Sequence, residues 1–299
     1  MNPTVLLPLC GLVLAGLLTG AAQRHLGPRA ATRALTGIAV GSALGVIWVL
    51  MLIAFGAAVS QPQVVRYAEW CRVSTPDHHP VGIWLGLSAF VLLVIGAGRA
   101  GRSLKRHRAN DAMWRSDCDV DIVDSLDPLA FAIPGRPGTV VVSTAMLAAL
   151  SRPERDALLA HEHAHLRWHH HRYIRATEVA ASFLPLLRPL VDRVRFETER
   201  WADEEAATET SDRAAVATAV ARAALASTAS TSTGTTGLAI GRVGVVDRVD
   251  ALLRPRPIAT RLTKAALLLA SAAVIVGLTS ATVQLHHLVT FADHVCTDH

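Results

Sequence analysis

Two histidines with three residues between them, and a glutamate directly after the first, stand at His161-Glu162-His163-Ala164-His165. On a helix the two imidazoles project from one face and can grip one divalent metal ion, zinc above all. Glu162 then reaches water polarised by the ion and can act as general base, which makes hydroxide available near neutral pH to attack a peptide carbonyl. Without a metal the same residues are a histidine-rich surface helix, so their surroundings must decide.

The surroundings supply the helix. Ser151-Arg152-Pro153-Glu154 has the pattern of a capping box with proline in the first turn, and Ala157 to Ala160 continue with good helix formers. A third ligand is also needed, and two candidates compete. His171 lies ten residues after His161, the metzincin spacing, but that pattern requires glycine where this chain has Trp168. With Trp168 the helix is expected to continue. At ~100° per residue His165 then sits about 40° from His161, and His171 about 280° away. His169, His170 and His171 accordingly read as a solvated or membrane-proximal helix end. Glu199 is the better candidate. Glu199 and Asp203 are four apart and share a helix face, so one carboxylate can bind the metal while the other orients a ligating histidine. An H-E-x-x-H followed by E-x-x-A-D is the gluzincin signature.

The chain resembles the BlaR/MecR family of membrane antirepressor metallopeptidases, whose wider relatives are the HtpX-like and CAAX-prenyl endopeptidases. The resemblance rests on His161-Glu162-x-x-His165, on Glu199-x-x-Ala202-Asp203-x-x-Ala206, and on the run from Asp124 to Gly135. Thr139 to Ser143 and Asp247-Arg248-Val249-Asp250-Ala251-Leu252-Leu253 also take part. It implies a zinc ion (Zn2+) held by His161, His165 and Glu199, with Glu162 as catalytic base and Asp203 supporting the site. Sensor members of that family carry a penicillin-binding domain outside the membrane. This sequence has no S-x-x-K motif of such a domain and runs about 14 residues past its last apolar run. Direct acylation by a β-lactam is therefore not expected as the input signal.

Composition points to a membrane. Apolar residues make up 51%, against 18% charged. Three apolar runs precede the histidines, at about 3–22, 34–59 and 82–98, and a fourth follows at about 265–285. Each approaches the ~20 residues that span a bilayer core. The first has no positive charge before it, which favours a retained span over a cleaved signal peptide. The expectation is an α-helical integral membrane protein with four transmembrane helices and a mainly helical α+β zincin-type domain carrying a small sheet. Residues 1–104 hold three spans, 105–262 the metallopeptidase domain, and 263–299 the fourth span and a short tail. The stretch from Val179 to Val191, broken by Pro185 and Pro189, reads as a buried or interfacial piece of that domain.

Arginine and lysine set the orientation. Arg24, Arg29 and Arg33 follow the first run; Arg99, Arg102, Lys105, Arg106 and Arg108 follow the third; Arg254, Arg256, Arg261 and Lys264 precede the fourth. The loop 60–81 and the tail 286–299 lack such clusters. Both termini are thus expected outside and the catalytic domain in the cytoplasm, in a plasma membrane. The net charge of +5 is mostly membrane flanking, so the lipid bilayer is an expected partner and nucleic acid is not. Cys71 and Cys296 share the outer compartment, where a disulfide between them is chemically permitted. Cys10 and Cys118 lie elsewhere, and no C-x-x-C suggests a cysteine metal site.

Within the soluble part, Val120–Val123, Leu129–Ile133 and Thr139–Ser143 read as short strands, with a turn at 134–138. An edge strand there can hold an extended substrate by backbone pairing. Ser227 to Gly237 reads as a flexible loop. Three functions follow: cleavage of a cytoplasmic DNA-binding repressor of the BlaI type, HtpX-like quality-control proteolysis of membrane proteins, or a non-catalytic membrane sensor or scaffold. The intact Glu162 opposes the last. Three spans before the site and one after it favour the first.

Overall fold

The computed structural model describes residues 26–59, 82–113, 118–135, 138–230 and 244–254, together with six single positions between 265 and 283. Two long helices come first, α1 (Pro28–Val59) and α2 (Ile83–Met113). Both contain a stretch long and apolar enough to cross a bilayer, Pro28–Ala58 and Ile83–Ala109. They pack side by side. Gly86 makes this possible: a Cβ there would lie 2.1 Å from the Cβ of Ala57. The expected first span, 3–22, lies outside the described residues, as do Cys71 and Cys296. Of the fourth span only Ala265, Leu269, Ala272, Val276, Thr279 and Val283 are described, all helical and exposed. Among the described residues, two of the four expected spans are helices long and apolar enough to cross a membrane.

Both helices overrun their predicted boundaries toward the catalytic domain. α1 starts at Pro28, and one side of its first half is buried: Ala31, Leu35, Ala39 and Ala43 recur every four residues, with Thr32 and Thr36 beside them. That side packs against two later helices, α5 (His170–Phe183) and α6 (Arg188–Glu209). Ala39 and Ala43 join Ala180, Ala181, Leu187 and Val191 in one apolar cluster. The interrupted stretch around Pro185, whose Pro185–Leu187 is a short 3-10 turn, thus seats α1. Alanines at these contacts let the helix backbones approach closely. Farther along, Leu44, Met51 and Phe55 of α1 are exposed, as are Phe90, Val91, Leu92, Val94 and Ile95 of α2.

Three strands form where the sequence predicts them: β1 (Val120–Val123), β2 (Ala130–Ile133) and β3 (Thr139–Ser143). Their order is β1-β3-β2, with β1 parallel and β2 antiparallel to β3. β3 is buried along its whole length, and its three valines anchor the sheet, each stabilising it by ~1.5–3 kcal/mol on full burial. β2 is an edge strand. After it come α3 (Thr144–Ala149), α4 (Arg152–Arg167), α5, α6, α7 (Arg213–Ser230) and α8 (Val245–Leu253). A core of small residues from α4, α6, α7 and α8 (Ala157, Ala160, Ala206, Val216, Ala219, Leu252) holds the helices together. Ser227 to Ser230, expected in a loop, instead end α7. The Ser227 hydroxyl donates to the carbonyl of Ala223 at 2.9 Å, within its own helix. The rest of that predicted loop lies outside the described residues.

Candidate active site

The site is built on α4. Ser151 and Glu154 form the capping box, with the Ser151 amide donating to the Glu154 carboxylate at 2.8 Å. Glu154 also accepts from Arg222 of α7 at 3.0 Å, which ties the start of α4 to its neighbour. Two turns on, α4 displays His161 and His165 on one face, as the spacing requires.

The helix does not continue through Trp168, contrary to the expectation drawn from that residue. α4 stops at Arg167, and His169 adopts the left-handed conformation at φ 52°. A histidine does here what glycine does in the metzincin pattern. The break returns the chain toward the face that carries His161 and His165, but it delivers His170 rather than His171. His170 is wholly buried. Its Nδ1 lies 3.1 Å from Nδ1 of His165, and its ring rests 4.6 Å from that of Trp201. Of the expected solvated or membrane-proximal helix end, the solvated reading does not hold for His170, whose side chain is buried. Its Nε2 is buried with no hydrogen-bond partner among the described residues. His171 packs against His169 instead.

α6 brings the carboxylates. Glu199 lies 3.5 Å from Nε2 of His161 and 3.6 Å from Nε2 of His165. The two Nε2 atoms are 3.1 Å apart. Asp203, one turn later, sits 2.9 Å from Nδ1 of His161. These distances fit a zinc ion: ligands ~2.0–2.1 Å from a tetrahedral zinc lie roughly 3.3 Å from one another. The orientation fits as well. Each Nε2 faces the common point, while each Nδ1 is met from behind, His161 by Asp203 and His165 by His170. Among the described residues, His161, His165 and Glu199 form the one group with metal-binding geometry.

One member of the site escaped the sequence reading. Arg248, from α8, is buried and grips Asp203 through two hydrogen bonds of 2.8 and 2.7 Å. Its third nitrogen lies 3.1 Å from Glu199. The segment containing it had stood out only by resemblance, with no role attached. Gly244 makes its approach possible: it holds φ 93° just before α8, and a Cβ there would meet the Phe196 ring at 2.6 Å.

Burial and charge pairing push the groups of the site in different directions. Burial opposes a proton on His161, yet Asp203 and Glu199 overcome it and push His161 up to about 10. Burial pulls His165 down to about 4 and His170 down to about 3, so both are neutral donors. Glu199 is held well below the usual carboxylate range: burial opposes this, but His165, His161 and Arg248 outweigh it. Asp203 is likewise depressed, chiefly through Arg248 against the cost of burial. Glu162 moves the other way. Burial lifts it to about 7, and the charge of Glu199 adds to the push. The backbone amide of Ala132 on edge strand β2 donates to its carboxylate. Glu162 and that strand border a cleft of about 310 Å³ whose walls include Phe131, Met146, Leu158, Val216 and Val220.

The model of peptidase family M48 matches residues 102–266, more than half of the chain. No curated protein matches, and no solved structure does.

Proposed function

The chain belongs to peptidase family M48, and from that premise we propose that it is a membrane-anchored zinc endopeptidase whose base is Glu162 and whose metal ligands are His161, His165 and Glu199. One observation carries the reading. Two imidazole nitrogens 3.1 Å apart meet a carboxylate whose two oxygens lie 3.5 Å from one and 3.6 Å from the other, beside a buried glutamate. Zinc in that position supplies Lewis acidity, which polarises a peptide carbonyl and acidifies water. The protein's own residues do the rest. Glu162, lifted to about 7 by burial, takes a proton from the attacking water and returns it to the leaving amine. Asp203 and His170 hold the two imidazoles in place from behind. Arg248 keeps Asp203 ionised and fixes one oxygen of Glu199. The free edge of β2 offers backbone groups to an extended peptide, and the apolar cleft beside it receives a side chain.

The substrate reading favoured by the resemblance is a cytoplasmic DNA-binding repressor. The match to family M48 supports the HtpX-like alternative, clearance of membrane proteins. In both, the site faces the cytoplasm and the termini lie outside, as the arginines and lysines require. Glu162→Gln should keep its metal and lose at least roughly 10²-fold in peptide hydrolysis. Undiminished cleavage by that variant would remove Glu162 from the mechanism. Crosslinking to the same inactive variant in intact cells separates the substrate classes: a DNA-binding protein should be trapped under the first reading, damaged membrane proteins under the second.

A further inference from the structure

We infer that a cleft between α2, α5 and α6 binds the phosphate headgroup of an anionic phospholipid. The cleft has a volume of about 720 Å³ and lies apart from the metal face. α2 lines it with Arg99, Arg102 and Arg106, and α6 with Arg188 and Arg195. The acids are outnumbered. Glu178 is already engaged by Arg195 and by His107, whose Nε2 is 3.0 Å away. Asp192 is the other acid on the lining. Among the described residues, Arg99, Arg102, Arg106 and Arg188 have no ion-pair partner. Four guanidinium groups from two helices some 90 residues apart in sequence thus face one cavity against a single unengaged carboxylate. Arg99 is half-buried and Arg102, Arg106 and Arg188 are exposed, so they are open to a ligand from outside, and guanidinium forks match phosphate oxygens. α6 begins at Arg188, so its positive end lies on the same cavity.

Position selects a lipid over a soluble anion. Phe90, Val91, Leu92, Val94 and Ile95 of α2 are all about half exposed, at 50–57%. Arg99 follows Ile95 by one turn, ~6 Å along the axis. The arginines therefore begin one turn beyond the half-exposed apolar stretch, at headgroup depth, with exposed Leu104 among them. Buried Ala181 and Val191 also line the cleft, next to the cluster that seats α1. A lipid with acyl chains along α2 places its phosphate among the arginines.

Full-length protein in neutral detergent, titrated with phosphatidylglycerol or phosphatidylcholine, tests this by native mass spectrometry. Phosphatidylglycerol should bind with a preference of at least roughly 10-fold. Arg102→Gln with Arg188→Gln should abolish that preference. Lys105→Gln with Arg108→Gln removes the same charge from outside the cleft and should leave it within about twofold. Equal loss in both pairs would reduce the effect to diffuse charge and overturn the site. So would equal binding of the two lipids, or displacement of phosphatidylglycerol by inorganic phosphate at matched concentration, which would mark a soluble-anion site. Far-ultraviolet circular dichroism confirms the fold of each variant, and Arg188→Lys should retain part of the preference. None of these readouts requires peptidase activity, so their failure leaves the zinc reading intact.

Discussion

At the scale of single residues, the site is a set of charges that hold one another in place. The Asp203 carboxylate is pinned by Arg248 and presents an oxygen to His161. His170 does the corresponding service for His165 with a neutral ring. Replacing His170 by alanine should weaken metal binding by roughly 10–100-fold, the usual effect of losing a group that orients a ligand. His171→Ala should leave metal content near wild type. Equilibrium dialysis against zinc compares the two, and equal losses would refute the assignment. A pH effect follows as well. Burial depresses the folded His170 to about 3, below its ordinary unfolded value of about 6.5. Its contribution to stability is therefore full above ~6.5 and lost as pH falls through about 3. In metal-free protein, His170→Asn should flatten the decline in denaturation midpoint over that acid range relative to wild type. Parallel curves would show that His170 is not buried neutral.

At the scale of elements, two local devices aim the chemistry, and they differ in kind. The capping box at Ser151 starts α4, and its loss should cost about 1 kcal/mol through the helix end alone. Ser151→Ala should therefore lower stability modestly and leave turnover per folded molecule unchanged. Gly244 starts α8 in a conformation that penalises any Cβ by roughly 1–2 kcal/mol, and the Phe196 ring occupies the space a Cβ would need. Gly244→Ala should cost more stability than Ser151→Ala. It should also lower turnover, because α8 carries Arg248 to the carboxylates. Turnover assays on thermally matched preparations separate the two, and unchanged turnover in Gly244→Ala would show that Arg248 tolerates displacement.

At the scale of the molecule, α1 and the peptidase domain share a core. Arg29 lies 4.2 Å from the centre of the Trp168 ring and 5.5 Å from that of Trp201, and Arg33 is 5.6 Å from Trp201. Trp201 in turn packs on His170, which backs His165. A continuous series of contacts thus runs from the basic end of α1 to the His165 imidazole of the candidate site. Excising residues 102–266 should leave an unstable domain, since Ala180, Ala181 and Val191 would lose their cover. Protein beginning near residue 26 should unfold cooperatively at a temperature several degrees higher, at ~4–8 °C per kcal/mol for a small domain. An excised domain as stable as the longer form would show that α1 contributes no core.

The cluster of the candidate site was legible in the sequence because its pattern is periodic. Residues four apart on a helix share a face whatever the rest of the chain does, so His161 with His165, and Glu199 with Asp203, announce themselves. The three strands and the capping box are equally local. What the sequence could not disclose were the meetings between distant segments. Arg248 lies 45 positions from Asp203, in a helix whose spacing carries no sign of its partner. The role of His170 depends on a left-handed turn at His169, where propensity favoured a continuing helix. The side of α1 that enters the domain is mostly small residues, Ala31, Thr32, Thr36, Ala39, Ser42 and Ala43, with Leu35, residues that suit lipid and protein contacts alike. Periodicity determines which residues share a face; only tertiary packing decides what that face meets, because burial and charge pairing are fixed between elements rather than along them.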